Sequence, residues 1–339
     1  MRTKIKIGAT PIAPQLLGDV PPRPVDGEIV QRQIAWRRHY DALRYTRHLS
    51  QRELNRRAWD ILLNLMRVDP EGKAALSPIT GESALFLEKF THVSEEMQLR
   101  YGPYPAGFMR EILHGEPFPN FASELAKSAA RRLSAIGLKP GEVFLKFGKR
   151  QYMERLHELG ALRIQPAAYF ANTDHNGAVR DDELALDVSL ALSTNDVVKV
   201  VKNPQDVPPN APEQRVDIRF KSPTDYWLFC LTTSVEPRLF VDFNADSCVI
   251  IRDRARFSQM LRQASRQHLN CAPMSDGSAI YIDPLFPRTE VFVPFVKHFR
   301  YTYQSEHRFC WLPLVPIQEL THVDIEIGSL KEFSDLIVL

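Results

Sequence analysis

The chain is poor in cysteine. Its four, Cys230, Cys248, Cys271 and Cys310, lie far apart without a C-x-x-C pair. That excludes a zinc-finger signature and a disulfide framework, and it fits a reducing cytoplasm. An excess of charge of either sign is lacking too. Lysine plus arginine number 43 against 41 acidic residues, and a net charge of +2 does not mark the whole chain as a nucleic-acid binder. No apolar run has the length of a membrane span. The opening MRTKIKIGATPIAP has no apolar core long enough for a signal peptide. Internal repeats and low-complexity tracts are absent. What is present is a globular chain of 339 residues, long enough for two domains or for one with an extension.

Residues 1–27 read as an extended arm, with Pro21, Pro22 and Pro24 close together. Residues 28–139 read as an α-helical lobe. Ile34, Tyr40, Leu43, Leu54, Leu62 and Leu65 recur at helical spacing. Ser50 with Glu53 forms a capping-box pattern, and Phe121–Ile136 is a helix with Asn120 as N-cap and Gly137 as stop. The first helices are the most basic part of the chain, with Arg32, Arg37, Arg38, Arg44, Arg47, Arg52, Arg56 and Arg57. Such a stretch is either a docking surface for nucleic acid or an acidic partner, or a solvated face whose arginine stems cover apolar surface.

From Pro140 to the end, residues 140–339, short β-type segments dominate, which predicts a mixed β-sheet domain and an α+β chain. Val143–Phe147 is a strand, Tyr152–Leu159 a short helix ended by Gly160, and Leu162–Phe170 a strand interrupted at Pro166. Strands are then predicted at Val216–Phe220, Tyr226–Ser234, Leu239–Phe243, Cys248–Arg252, Ala279–Ile282, Val291–Lys297 and Val323–Ile327. Asp253–His268 and Ser329–Ile337 are predicted helices.

Two constellations carry candidate chemistry. In FRYTYQSEHRFCW, Phe299–Trp311, strand alternation turns Gln304, Glu306 and Arg308 one way and Ser305 and His307 the other. A carboxylate two residues from an amide can grip a ribose, and Arg308 would keep Glu306 ionised. An edge strand that places charges in solvent is the alternative. The second is Arg180-Asp181-Asp182-Glu183, close to His175 and Asn176. It reads as a ligand set for a metal-dependent nuclease, as an ion-paired loop cap, or as the lining of a substrate cleft through Arg180 and Asp182. His157, His268, His298 and His322 stand alone and read as structural. The cysteines sit among apolar residues and read as inert thiols.

Lys146 and Arg150 in VFLKFGKR, Arg163 and Tyr169 in the next strand, Thr232-Thr233-Ser234, and Gln304-Ser305-Glu306 follow one another in an order that resembles the ADP-ribosyltransferase superfamily. The likeness covers about the last 200 residues, in short motifs. It departs from the pattern in having lysine where the first strand usually carries arginine or histidine, and Thr-Thr-Ser in place of Ser-Thr-Ser. Tyr303-x-x-Glu306-x-Arg308 is also similar to a strand of uncharacterised bacterial families. The resemblance implies a split two-sheet fold and NAD as substrate. It gives Glu306 and Gln304 catalytic roles, and Lys146, Arg163, Tyr169, Thr232, Thr233 and Ser234 a part in holding NAD. Arg180, Asp182 and Arg308 would then bind substrate, with no metal. The activity implied is ADP-ribosyl transfer to a protein or nucleic-acid acceptor, as in a bacterial toxin or anti-phage effector, with an antitoxin or other partner on the basic helices.

Overall fold

The computed structural model describes residues 28–103, 112, 118–192, 214–269, 272–286, 291–317 and 319–339. The expected arm at 1–27, and Cys271, lie outside the described residues. No helix among the described residues is long and apolar enough to cross a membrane.

The helical part contains α1 (Glu28–Leu43), α2 (Gln51–Leu65), α3 (Glu82–Tyr101) and α4 (Glu124–Ile136). A hairpin of β1 (Met66–Val68) and β2 (Ala74–Leu76) follows α2. At the start of α2 the Ser50 hydroxyl accepts the Glu53 N–H, and the Glu53 carboxylate accepts the Ser50 N–H at 2.7 Å. The α2 stripe Leu54, Ala58, Ile61 and Leu65 is buried with Phe86, Val93 and Met97 of α3. α4 begins later than expected, because Ser123 rather than Asn120 accepts a first-turn amide, that of Ala126. Gly137 ends it at φ 66°.

The body continues with β3 (Phe144–Gly148), α5 (Arg150–Leu159), β4 (Ala161–Pro166), β5 (Ala185–Leu192), β6 (Gln214–Lys221) and β7 (Trp227–Thr232). It goes on through α6 (Arg238–Asp242), β8 (Ser247–Ile251), α7 (Arg254–His268), β9 (Met274–Ser278), β10 (Ile280–Ile282) and β11 (Val296–His298). It closes with β12 (Glu306–Trp311), β13 (Val323–Glu326) and β14 (Ser334–Val338). An eight-stranded antiparallel sheet runs β13-β4-β7-β3-β8-β14, with β12 and then β9 beside β7. β7 is where this sheet forks. β4 pairs with its first residues, Pro166 opposite Trp227, and β3 with its last, Leu145 opposite Thr232. β12 runs the length of β7, with Glu306 opposite Thr232 and Arg308 opposite Cys230. The architecture is α+β, as the segment pattern predicts.

Both faces of the sheet are covered. Phe144, Phe229, Val249 and Phe309 pack with Phe257 and Leu261 of α7. Leu145, Phe147, Cys248 and Ile250 pack with Ala129 and Leu133 of α4 and Leu239 and Phe240 of α6. α4 therefore lies on the sheet, while Phe299 joins the core of α2 and α3. A buried ion pair also ties these parts together. Arg57 donates to both oxygens of Asp283, at 2.9 and 2.7 Å, and Lys89 lies 2.6 Å from the same carboxylate.

Five of the predicted segments depart from the sequence expectation. Leu162–Phe170 is a strand only as far as Pro166, and Ala167–Ala171, with Tyr169, is a 3-10 turn. Leu239–Phe243 is helical, because Arg238 pairs with Asp242 one turn on and donates to the Leu63 and Met66 carbonyls at the end of α2. Phe299–Gln304 is a 3-10 turn. Asn64 takes its backbone groups, donating to the Phe299 and Arg300 carbonyls and accepting the Tyr303 N–H, so they cannot enter a ladder. Within Val291–Lys297, Pro294 sits in a 3-10 turn at Val293–Phe295, and the strand begins only at Val296. Part of the expected closing helix is β14, where Leu336 and Ile337 pair with Val249 and Cys248.

Gly160, at the C-terminus of α5, holds β4 against β13. Its φ is +66°, and an added Cβ would meet the Gly328 carbonyl oxygen at 2.2 Å. Gly160→Ala is expected to lower stability by more than about 2 kcal/mol in denaturant titration, adding backbone clash to left-handed strain. An unchanged midpoint would mean that this corner yields freely.

Candidate functional site

Strand alternation on β12 puts Glu306 and Arg308 on the face that carries Cys230 and Cys310, with His307 and Phe309 on the other. Two further segments complete that face. β11 brings Lys297. The polar loop before β5 brings Asp181 and Glu183. The loop is fixed by its own hydrogen bonds. The Asn176 side chain accepts the Ala178 and Val179 N–H groups, Tyr301 donates to the Arg180 carbonyl, and Tyr226 donates to the Glu183 carbonyl. Pinned in this way, the loop alternates. Arg180 and Asp182 point out, while Glu183 is buried and Asp181 is half-buried.

The result is a compact charge network in which Arg308 is fully buried. Arg308 Nη2 lies 2.7 Å from Glu183 Oε2 and 3.0 Å from Glu306 Oε2, and Nε donates to Glu306 at 3.1 Å. Arg308 Nη1 donates to the Pro294 carbonyl at 3.0 Å. Lys297 Nζ lies 3.2 Å from Glu306 and 3.5 Å from Glu183. The Glu306 N–H donates to the Tyr281 hydroxyl at 2.8 Å. Two cations thus face two carboxylates, and Asp181 is the carboxyl left over.

That surplus splits the protonation states. Burial pushes Glu306 up, but Lys297 and Arg308 outweigh it and hold the carboxyl at about 2. Burial pushes Asp181 up as well, and there it prevails: with Glu183 adding to the rise against Lys297 and Arg308, the carboxyl reaches about 7. Burial would lower the Lys297 ammonium, yet Glu306 and Glu183 raise it. Burial, and then Glu306, push the Cys230 thiol well up, so it stays protonated. One carboxyl is locked ionised and its neighbour titrates near neutrality.

The linkage of Asp181 to folding has a definite sign. Between about pH 4 and 7 the folded state keeps a proton that the unfolded chain releases, so stability falls as pH rises through that window. Asp181→Asn removes the fall. The variant is expected to be more stable than the parent at pH 8, by roughly 1–3 kcal/mol after allowing for solvent screening, and to gain less at pH 5. Denaturant titrations at the two pH values check this; an equal gain at both would place the titration elsewhere.

The other candidate residues are dispersed. Gln304 is buried in the 3-10 turn rather than on the strand, and its amide donates to the Ala178 carbonyl at 2.8 Å. Ser305, at φ 42°, breaks the alternation that would have aligned Gln304 with Glu306. The Thr232 and Thr233 hydroxyls donate to the carbonyls of Gln304 and Ser305, and the Ser234 N–H donates to Thr232 Oγ1. This trio braces the corner that sets Glu306. Lys146 lies on the opposite face of the sheet, with Val249 opposite it, its Nζ 4.6 Å from the Phe229 ring and donating to the Cys230 carbonyl. Arg163 is exposed and paired with Asp324 at 2.7 Å, and Tyr169 is exposed against Phe170 and His175. Asp182 is exposed and paired with Arg219.

Lys297 completes the network without having been singled out by sequence, and Glu183, expected as a metal ligand of the polar loop, is instead the partner of Arg308 and Lys297. The available signal was a lysine ending the apolar run VFVPFVK, where a charge has no reason to sit unless paired. The nuclease reading loses its ligands. Among the described residues Asp181, Asp182 and Glu183 form no metal-binding group, since Asp182 turns to Arg219 and Glu183 is held by Arg308 and Lys297. Much of the basic run is internally paired as well, Arg37 with Glu95, Arg44 with Glu96, and Arg57 with Asp283.

A cavity of about 270 Å³ lies between the helical lobe and the loop, lined by Trp59, Leu63, Asn176, Ala178, Tyr303 and Asp242 among others and by none of the network's charged residues. Ala178 and Tyr303 are also the partners of the Gln304 amide. Comparison with protein-family models, with curated proteins and with solved structures returned no match.

Proposed function

We propose that the chain is an enzyme that cleaves the nicotinamide–ribose bond of NAD and transfers ADP-ribose to a macromolecular acceptor in the cytoplasm. The observation that carries this reading is a carboxylate fixed in place: Glu306 lies 3.0 Å from Arg308 and 3.2 Å from Lys297, which hold it ionised, while burial raises its neighbour Asp181 toward neutrality. Departure of nicotinamide with the bonding pair leaves an oxocarbenium-like ribose, and a fixed carboxylate stabilises that charge. This is the role of Glu306. The acceptor Nu–H then bonds to the anomeric carbon, and its proton passes to the Asp181 carboxylate. Arg180, exposed beside Asp181, is the guanidinium available to the diphosphate. Lys146 and Arg163, expected in that role, face elsewhere.

The test uses the full chain with NAD labelled on the adenylate, following free nicotinamide and label bound to protein or nucleic acid from a lysate. The parent releases nicotinamide, and its rate rises through about pH 7. Asp181→Asn flattens that rise. No turnover of NAD by the folded parent over pH 6–9 overturns the proposal. The binding-only reading, in which the basic helices dock a partner, would leave function untouched in Glu306→Gln.

A further inference from the structure

Away from this network, α1 and α3 bring together three metal-type ligands. Glu88 and His92 lie one turn apart on α3, and His39 of α1 faces them. One ligand atom from each residue lies within 4.8 Å of the other two. His39 Nδ1 is 3.3 Å and His92 Nε2 is 3.7 Å from the same oxygen, Glu88 Oε1. Zinc bonds of about 2.0–2.1 Å in a tetrahedron put neighbouring ligand atoms roughly 3.3–3.4 Å apart, so the two edges need only a small side-chain adjustment.

A second, independent observation points the same way. The His92 side chain is 1% exposed, and its Nε2 makes no hydrogen bond of proper geometry. A Trp36 backbone hydrogen bond also acts on this ring, and the nearest charged atom to Nε2 is Glu88 Oε1 at 3.7 Å. A buried ring nitrogen without a well-formed hydrogen bond, facing a carboxylate, is what a site prepared for a cation presents. The other ring nitrogen is already oriented, with Nδ1 3.1 Å from the Tyr45 hydroxyl. With Nδ1–H donating to Tyr45, Nε2 carries the free lone pair, the arrangement that outer-shell partners impose on metal-binding histidines. His39 is 38% exposed and Glu88 14%, so the site opens toward solvent on one side, where water would complete the coordination.

We propose that His39, Glu88 and His92 bind one zinc-type divalent cation, clipping α1 to α3. Binding to the folded state alone raises stability by mass action, so the melting temperature climbs with free metal. This site is separate from the Asp181–Glu306 network, and its test does not depend on catalysis.

Untagged full-length chain, dialysed against chelator, is titrated with Co²⁺ as a spectroscopic probe and then with Zn²⁺ by calorimetry. One equivalent binds, the cobalt spectrum is tetrahedral without a thiolate charge-transfer band, and zinc displaces it. His39→Ala and Glu88→Gln, at more exposed positions than His92, each weaken binding by about tenfold or more with the circular dichroism unchanged. Tyr45→Phe weakens it by about 10–100-fold. His322→Ala, on another part of the surface, leaves it unaltered. Absence of binding, a thiolate band, or full affinity in His39→Ala and Glu88→Gln overturns the proposal.

Discussion

Glu306→Gln is expected to reduce NAD cleavage by about 10²–10³-fold while the chain stays folded. Glutamine keeps the size of the side chain and can still accept from Arg308. What it loses is the negative charge that the developing oxocarbenium requires. The same change must move Asp181, because Glu306 is one of the charges that raise it. With that charge gone, Lys297 and Arg308 face Glu183 alone, and the midpoint of any residual pH–rate profile falls below 7. A shape change of this kind separates loss of a catalytic charge from simple disruption, which would lower the rate without moving the profile. Arg163→Ala serves as the counterpart. Arg163 pairs with Asp324 at the far side of β4, so removing it should leave turnover within about twofold. Full activity in Glu306→Gln, or a profile that keeps its midpoint, would reject the role given to this carboxylate.

The parts of this arrangement that were legible in the sequence are those that a local rule controls. Period-two alternation correctly paired Glu306 with Arg308 and sent His307 to the other face, where it meets Asp276. Ser50 and Glu53 announced the start of α2, and the strand–helix–Gly–strand unit expected at 143–170 is present as β3, α5, Gly160 and β4, with its second strand ending at Pro166. Local rules failed where a distant residue took over the backbone. Phe299–Gln304 is as β-prone as its neighbours, yet Asn64, more than 230 residues away in sequence, holds it in a 3-10 turn. Leu239–Phe243 is apolar and aromatic, yet Arg238 needs a helical turn to reach Asp242. Lys146 illustrates a subtler limit. Its position on a central strand was evident, but its face depends on the register with β8, which no single stretch of sequence reports. Lys297 was illegible for a related reason, and so was the partner of Glu183, which stood out only as a member of an acidic loop. Each acquires its meaning only when β11 and that loop come together beside β12.

Arg308→Met is expected to cost about 3–5 kcal/mol of folding stability. Arg308 is wholly buried and serves Glu183, Glu306 and the Pro294 carbonyl at once. Methionine fills much of the volume but leaves two buried carboxylates sharing Lys297. Against a typical total of about 5–15 kcal/mol, such a loss brings the fold near its limit. The origin of the cost is charge imbalance rather than a missing contact, and that makes it reversible by design. In Arg308→Met the stranded carboxylates take up protons, so the deficit should shrink as pH falls from 8 toward 5, opposite to the screening loss of an ordinary surface pair. Adding Glu183→Gln restores the balance, because Lys297 and Glu306 then remain as one pair. The double variant should therefore be less destabilised than the sum of the two single changes, by about 0.5–3 kcal/mol. Denaturant titrations of the four proteins measure this coupling. If the two costs simply add, Arg308 acts through its hydrogen bond to Pro294 and its packing, and the network does not behave as one electrostatic unit.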